Sequence, residues 1–309
     1  MKTAYLFSGQ GAQYIGMGKD LFEQESIVKQ TFEEASDTLG YDMQELIFTE
    51  NNRLDQTKYT QPAILTVSIA FWKVLTDKGF QADALAGLSL GEYSALVASG
   101  AIDFKTAVSL VAKRGAFMEN AAPKGTGKMV AVMKTPIETI EAACQKASEY
   151  GIVAPANYNT PQQIVIGGEV AAVNQAVNLL THAGVKRMMP LNVSGPFHTQ
   201  LLAPAAKQLA KVLADIEFSP MQVPVISNTT AKIMPQEKIK EILTKQVMSP
   251  VHFYESIATF KELGIERFVE IGPGKTLSGF LRKIDKSLSV SRVEDRKTLE
   301  ETEKRLNEE

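Results

Sequence analysis

Thiol chemistry is nearly missing from this chain. Cys144 is the single cysteine in 309 residues, which rules out an internal disulfide, and with only three histidines a structural zinc site of the usual kind is not provided for. Cys144 falls in a stretch with the pattern of an amphipathic helix and is expected as buried filler rather than as a nucleophile. Charge imbalance is lacking too. The 33 Lys and Arg against 35 Asp and Glu leave a formal charge of -2, which gives no ground for a nucleic acid or an anionic membrane as partner. No window reaches the ~18 apolar residues of a membrane span, and the apolar stretch 3–7 is too short for the core of a secretion signal. Internal repeats and low-complexity tracts are absent. What remains, 44% apolar and 22% charged residues, suits a soluble cytoplasmic enzyme with room for one large domain or two modest ones.

The most informative stretch is Gly87-Leu88-Ser89-Leu90-Gly91. An apolar run precedes it and a helical pattern follows. Strand, G-x-S-x-G and helix make a nucleophile elbow, in which the serine sits at the apex of a tight turn and flanking glycines avoid a clash. The new helix points its N-terminal N–H groups at the reaction zone.

Around the elbow the chain alternates strands and helices. A strand over 3–7 leads into a Gly-rich loop, 8–18. Helices are expected over 20–39 and, with Pro62 in the first turn, over 63–78. The elbow strand is followed by helices 92–99 and 104–120. This order implies a mainly parallel sheet covered on both faces. Pro123-Lys124-Gly125-Thr126-Gly127 interrupts it. Next come strand 128–134, helix 137–150, strands 152–157 and 163–167, helix 170–183 and strand 185–191, the βαββαβ order of a ferredoxin-like unit. The larger pattern resumes with helix 200–215, strand 223–227, helices 236–246 and 253–263, strand 267–271 and helix 275–285. The charged tail from Glu294 reads as a solvated helix or a frayed end. The expected fold class is therefore α/β. A large α/β-hydrolase-like domain (1–124 and 194–309) has a mainly parallel sheet, and a small ferredoxin-like domain (125–193) is inserted in it.

A serine needs a base to remove its proton, and histidine is the usual one. His182 sits at a helix end, where it suits the helix dipole. His252 stands at a helix start and reads as a packing or capping residue. His198 follows Ser194-Gly195-Pro196-Phe197 in a loop leaving the inserted unit, which makes it the candidate base, with capping as the alternative. No acid stands out to orient it, and in α/β-hydrolases the histidine lies nearer the chain end. A carbonyl could hold the ring N–H instead. The loop Ser8-Gly9-Gln10-Gly11-Ala12-Gln13 fails the dinucleotide pattern at Tyr14 and is better used to donate a backbone N–H to an oxyanion, with Leu90 giving the other. Gly272-Pro273-Gly274-Lys275-Thr276 lacks the earlier glycine of a P-loop and reads as a strand-to-helix turn. Arg114 lies in the middle of the apolar row Ala107, Leu110, Phe117 and Ala121, while Lys113 points elsewhere. A buried guanidinium needs a partner. It is an internal salt bridge, a snorkelling side chain, or a bidentate clamp on a substrate carboxylate.

Together these segments resemble a known family. Phe7-Ser8-Gly9-Gln10-Gly11-Ala12-Gln13, Gln61-Pro62-Ala63, Gly87-Leu88-Ser89-Leu90-Gly91-Glu92-Tyr93-Ser94, Arg114-Gly115, His198 and Ile271-Gly272-Pro273-Gly274 occur in the order seen in malonyl-CoA:acyl carrier protein transacylases. The chain is also similar to the acyltransferase domains of fatty acid and polyketide synthases. The resemblance implies Ser89 as acylated nucleophile, His198 as base, the N–H groups of Gln10 and Leu90 as oxyanion hole, and Arg114 as grip on the malonyl carboxylate. It implies that the Gln246 main-chain carbonyl orients His198, that Gln61 and Asn159 flank the pocket, and that Phe197 limits room for an α-methyl branch. Many relatives have histidine where this chain has Leu88, so no role is carried over for that position.

The resemblance also implies malonyl-CoA and an acidic acyl carrier protein as partners, met by a basic surface at the site mouth. It implies a monomer, no metal or cofactor, and a place in fatty acid synthesis. Two rivals remain open on sequence alone. One is a hydrolase or thioesterase with the same serine. The other is a silent scaffold that only binds carrier proteins. A nucleotide-binding enzyme is more distant.

Overall fold

The computed structural model describes residues 1–308 apart from Asn192 and Ser194. Asn192, next to the end of the expected inserted unit 125–193, and Ser194, the first residue of the loop before His198, therefore lie outside the described residues. In chain order the elements are β1 (Lys2–Phe7), α1 (Lys19–Gln24), α2 (Ser26–Leu39), α3 (Met43–Phe48), α4 (Thr57–Asp77), β2 (Ala84–Gly87), α5 (Gly91–Ala98) and α6 (Phe104–Ala121). Then follow β3 (Gly127–Met133), α7 (Ile137–Ala147), β4 (Val153–Thr160), β5 (Gln163–Glu169), α8 (Val170–His182), β6 (Met188–Pro190) and α9 (Ala203–Ala214). The chain closes with α10 (Ile239–Gln246), β7 (Val251–His252), α11 (Phe253–Glu262), β8 (Ile265–Ile271), α12 (Thr276–Ile284), β9 (Ser289–Val293) and α13 (Arg296–Asn307).

Two sheets result. The first has the order β2-β1-β8-β9 with every pairing parallel. Its central strand β1 is almost wholly buried, as a strand covered on both faces must be. The second has the order β6-β3-β5-β4-β7. Its first four strands are antiparallel, as the ferredoxin-like order requires, with α7 and α8 packed beside them over a core that includes Cys144.

Several elements differ from the sequence reading. The 20–39 helix is broken at Glu25, which is extended. Pro62 is not in a first turn but inside α4, which begins five residues earlier. Lacking an N–H, Pro62 cannot bond the Lys58 carbonyl, and packing of the buried helix outweighs that loss. The expected strand 223–227 is reduced to one parallel bridge, Val225 to Leu85, and another bridge at Ile226. β7 adds a parallel fifth strand to the second sheet from far downstream of the expected insertion. The tail is a packed helix with an Asp295–Thr298 capping box and buried Leu299 and Thr302.

Candidate active site

Three parallel strands end in one row: Phe7 of β1 pairs with Gly87 of β2 on one side and with Ile271 of β8 on the other. The three loops that follow leave the sheet together at its carboxyl edge, where open α/β sheets hold ligands. A Cβ on Gly87 would strike the Gly91 backbone, and one on Gly91 would strike the Phe7 carbonyl. Only glycine at both positions lets α5 turn back this sharply over β1. Ser89 at the apex has φ 53°, a left-handed conformation that costs a non-glycine residue about 1–2 kcal/mol.

Ser89 Oγ lies 2.8 Å from His198 Nε2. His198 Nδ1 faces two main-chain carbonyls, Gln246 O at 2.9 Å and Ser249 O at 3.1 Å. Carbonyls only accept, so Nδ1 carries the hydrogen and Nε2 presents a lone pair to the serine. Two buried carboxyls, Glu92 and Glu270, lie near the site, but neither bonds the imidazole. Glu270 accepts from the N–H groups of Leu277 and Ser278 and caps α12. Burial, then the nearby Arg114 charge, pushes His198 down to about 4, against the pull of the two carbonyls. It is therefore a neutral base at pH 7.

Arg114 comes from α6 and is 1% exposed, while Lys113 points to solvent. Burial excludes a snorkelling side chain. Among the described residues Arg114 makes no ion pair with a carboxylate; Nη1 donates to Gln61 Oε1 at 2.8 Å, and Nη2 to Gln246 Oε1 at 3.0 Å and Ser89 Oγ at 3.1 Å. Its Cζ lies 5.2 Å from the Tyr93 ring centre, and its Nε has no partner among the described residues. Burial lowers its pKa, countered by Tyr93 and Glu92. A guanidinium keeps its charge under such pressure.

A cleft of about 360 Å³ opens over Ser89 and His198, with Gln10, Asn159, Phe197, Leu88 and Met118 in its walls. Among the described residues the backbone N–H groups of Gln10 and Leu90 meet no acceptor. The Asn159 Oδ1 is buried with no partner among the described residues. Gln61 is fully buried and meets the site through Arg114 and through Gln10 Oε1 at 3.3 Å.

The other singled-out residues are elsewhere. His182 Nδ1 bonds Asn178 O at 2.8 Å on the surface of α8. His252 pairs with Glu255 and stacks on Tyr158 with ring centres 5.1 Å apart. Burial pushes the Cys144 thiol up to about 12. The Gly272–Thr276 segment is the β8-to-α12 turn, tied down by Ser8 Oγ donating to Pro273 O at 2.9 Å.

Three participants escaped the sequence reading. Ser249 shares the orientation of His198. Asn228 Oδ1 accepts the Ser89 N–H at 3.2 Å. Glu92 accepts from the Asn228 backbone N–H at 2.7 Å and from its side-chain amide. Glu92 had a signal: it is the lone charge in the otherwise uncharged α5. Asn228 had none.

The acyl transferase domain family matches residues 4–301. The malonyl CoA-acyl carrier protein transacylase of Bacillus subtilis (strain 168) is 46% identical, over 100% of this chain and 98% of that protein. The crystal structure of MCAT from Streptococcus pneumoniae superposes with a TM-score of 0.96 at 60% identity, covering 98% of this chain and 100% of the other. A malonyl-transacylase solved in complex with its type II PKS acyl-carrier protein gives a TM-score of 0.94 at 43% identity, covering 97% of this chain and 98% of that one. The chain belongs to the acyl transferase family, among the malonyl CoA-acyl carrier protein transacylases.

Proposed function

We propose that this chain carries a malonyl group from malonyl-CoA to the phosphopantetheine thiol of an acyl carrier protein, by way of an ester on Ser89. The observation that carries the reading is the 2.8 Å contact of Ser89 Oγ with a neutral, carbonyl-oriented His198, beside a buried cation with no carboxylate partner. In the first step His198 Nε2 takes the serine proton as Oγ bonds the thioester carbon. The N–H groups of Gln10 and Leu90 hold the resulting oxyanion. The carbon–sulfur bond breaks, and the coenzyme A sulfur leaves with the proton held by His198. In the second step His198 takes the proton of the carrier thiol, whose sulfur attacks the ester, and returns it to Ser89 Oγ. Each step uses only groups of the chain and the two thiols.

Arg114 would grip the malonyl carboxylate, with Nη2 moving from Ser89 Oγ to the ligand. Phe197 and Asn159 would shape and polarise the cleft around the acyl chain. The acyl-carrier complex of the related transacylase supports a carrier protein as partner. The reading extends to a cytoplasmic monomer serving fatty acid synthesis.

Intact-protein mass spectrometry after mixing with malonyl-CoA tests the proposal. The chain should gain one malonyl group, Ser89→Ala should gain none, and a carrier protein should remove it. Release of free malonate in preference to transfer would make the chain a hydrolase. Failure to load at all would leave only a carrier-binding scaffold.

A further inference from the structure

Ser89 holds its left-handed backbone between two side-chain amides. On one side Asn228 Oδ1 accepts the Ser89 N–H at 3.2 Å. On the other, Gln246 Nε2 donates to the Ser89 carbonyl at 3.1 Å. An amide can do either job only if it faces the right way, because its oxygen and nitrogen ends are nearly the same shape. A buried ionisable side chain stands behind each. Arg114 Nη2 donates to Gln246 Oε1, which leaves Gln246 Nε2 for the serine carbonyl. Glu92 accepts from the Asn228 side-chain amide and its backbone N–H, which leaves Asn228 Oδ1 for the serine N–H.

We propose that Glu92 and Asn228 are a positioning pair for the nucleophile: Glu92 Oε2, as acceptor, fixes the sense of the Asn228 amide, and the amide oxygen holds the peptide that sets the direction of Ser89 Oγ. The inference rests on Ser89 being the acylated residue. Glu92 is fully buried, with Oε1 free of any partner among the described residues. It lies one helical turn beyond Ser89, on the side of the elbow away from the cleft, and does not line the cleft. Its position serves the elbow and not the substrate. Burial pushes the Glu92 carboxyl up to about 7 against the pull of Asn228 and of the Arg114 charge, and Oε2 can accept the two Asn228 N–H groups in either protonation state. The arrangement explains why an acid stands in a helix otherwise built of uncharged residues.

The test measures the rate of malonyl loading on the full-length chain by mass spectrometry, with kcat and KM for malonyl-CoA alongside. The wild type is loaded first. If Ser89 takes no malonyl group there, the reading of the site fails, whatever the variants do. If it loads, Asn228→Asp is compared, because it keeps the shape but turns the donor toward Glu92 into an acceptor. Loading should slow about 10- to 100-fold with KM changed less than about twofold, since small misplacement of a reacting atom costs rate rather than affinity. Unchanged loading in Asn228→Asp, or a rise in KM alone, overturns the proposal. Asn228→Ala, which buries no new charge, replaces the aspartate variant if that one does not fold.

Discussion

Arg114 and His198 meet at one oxygen. Nη2 of the first and Nε2 of the second both reach Ser89 Oγ, at 3.1 and 2.8 Å. The hydroxyl has one hydrogen. Arg114 can only donate, so it occupies a lone pair and leaves the hydrogen to point at the imidazole. Burial is the main reason the base is neutral, and the same cation that aims the proton adds to it, because its charge disfavours a second positive group nearby.

The first prediction concerns that cation. Arg114→Ala should reduce kcat/KM for malonyl transfer by about 10²-fold or more, as expected for a carboxylate deprived of its partner in a buried site. Acetyl transfer, which offers no carboxylate, should lose about tenfold or less. Parallel assays with the two acyl-CoA substrates decide the matter, and equal losses would remove the clamp.

The base gives a prediction in pH. With His198 pushed down to about 4, the acid limb of kcat/KM should fall near that value and not near the ~6.5 of a free imidazole. Arg114→Ala removes one lowering influence, so its limb should move upward. Stability follows the same sign. Between ~6.5 and about 4 the unfolded chain binds a proton at this position that the folded chain refuses. The wild type should therefore lose stability relative to His198→Asn as pH falls through that window. Denaturant midpoints across the range measure it.

Phe197 is almost fully buried in the cleft wall. Trimming it to alanine should raise the ratio of methylmalonyl to malonyl transfer by about tenfold or more, the discrimination one methyl group commonly carries. Competition between the two thioesters, read by mass spectrometry, gives the ratio directly. An unchanged ratio would place the selectivity elsewhere.

The elbow glycines make a structural prediction. Gly91→Ala drives a methyl group into the Phe7 carbonyl, and a backbone cannot step aside as a flexible side chain can. The variant should lose about 3 kcal/mol or more of stability, or fail to fold. Gly279→Ala, whose new Cβ meets nothing within 4 Å, is the control. Similar melting temperatures for the two would contradict the packing argument.

The sequence made Ser89, His198 and Arg114 visible for different reasons. Ser89 sits in a strand-turn-helix pattern that constrains its neighbours. His198 is one of three histidines and lies at an element junction. Arg114 interrupts an apolar helical row. Local pattern carries these three because local structure places them. Asn228 and Ser249 belong to irregular segments, and their roles arise when distant strands bring those segments behind the elbow. No periodicity marks such a residue. Pro62 misled in the opposite way: proline favours a first turn, but the apolar face of α4 extends through it. The short strands β7 and β9 went unread because they are two and five residues long and lack a distinct signature.

The two-residue strand β7 ties three parts of the site together. Val251 and His252 pair with Asn157 and Tyr158 in the cleft-wall strand. The His252 N–H also holds the Asn228 carbonyl at 2.7 Å, and Ser249, which faces the imidazole, stands two residues before Val251. Swinging the second sheet outward along this edge would break those pairings and pull the imidazole off its aim. A bulky guest must then be admitted at the rim by rotating side chains such as Met118 and Phe197.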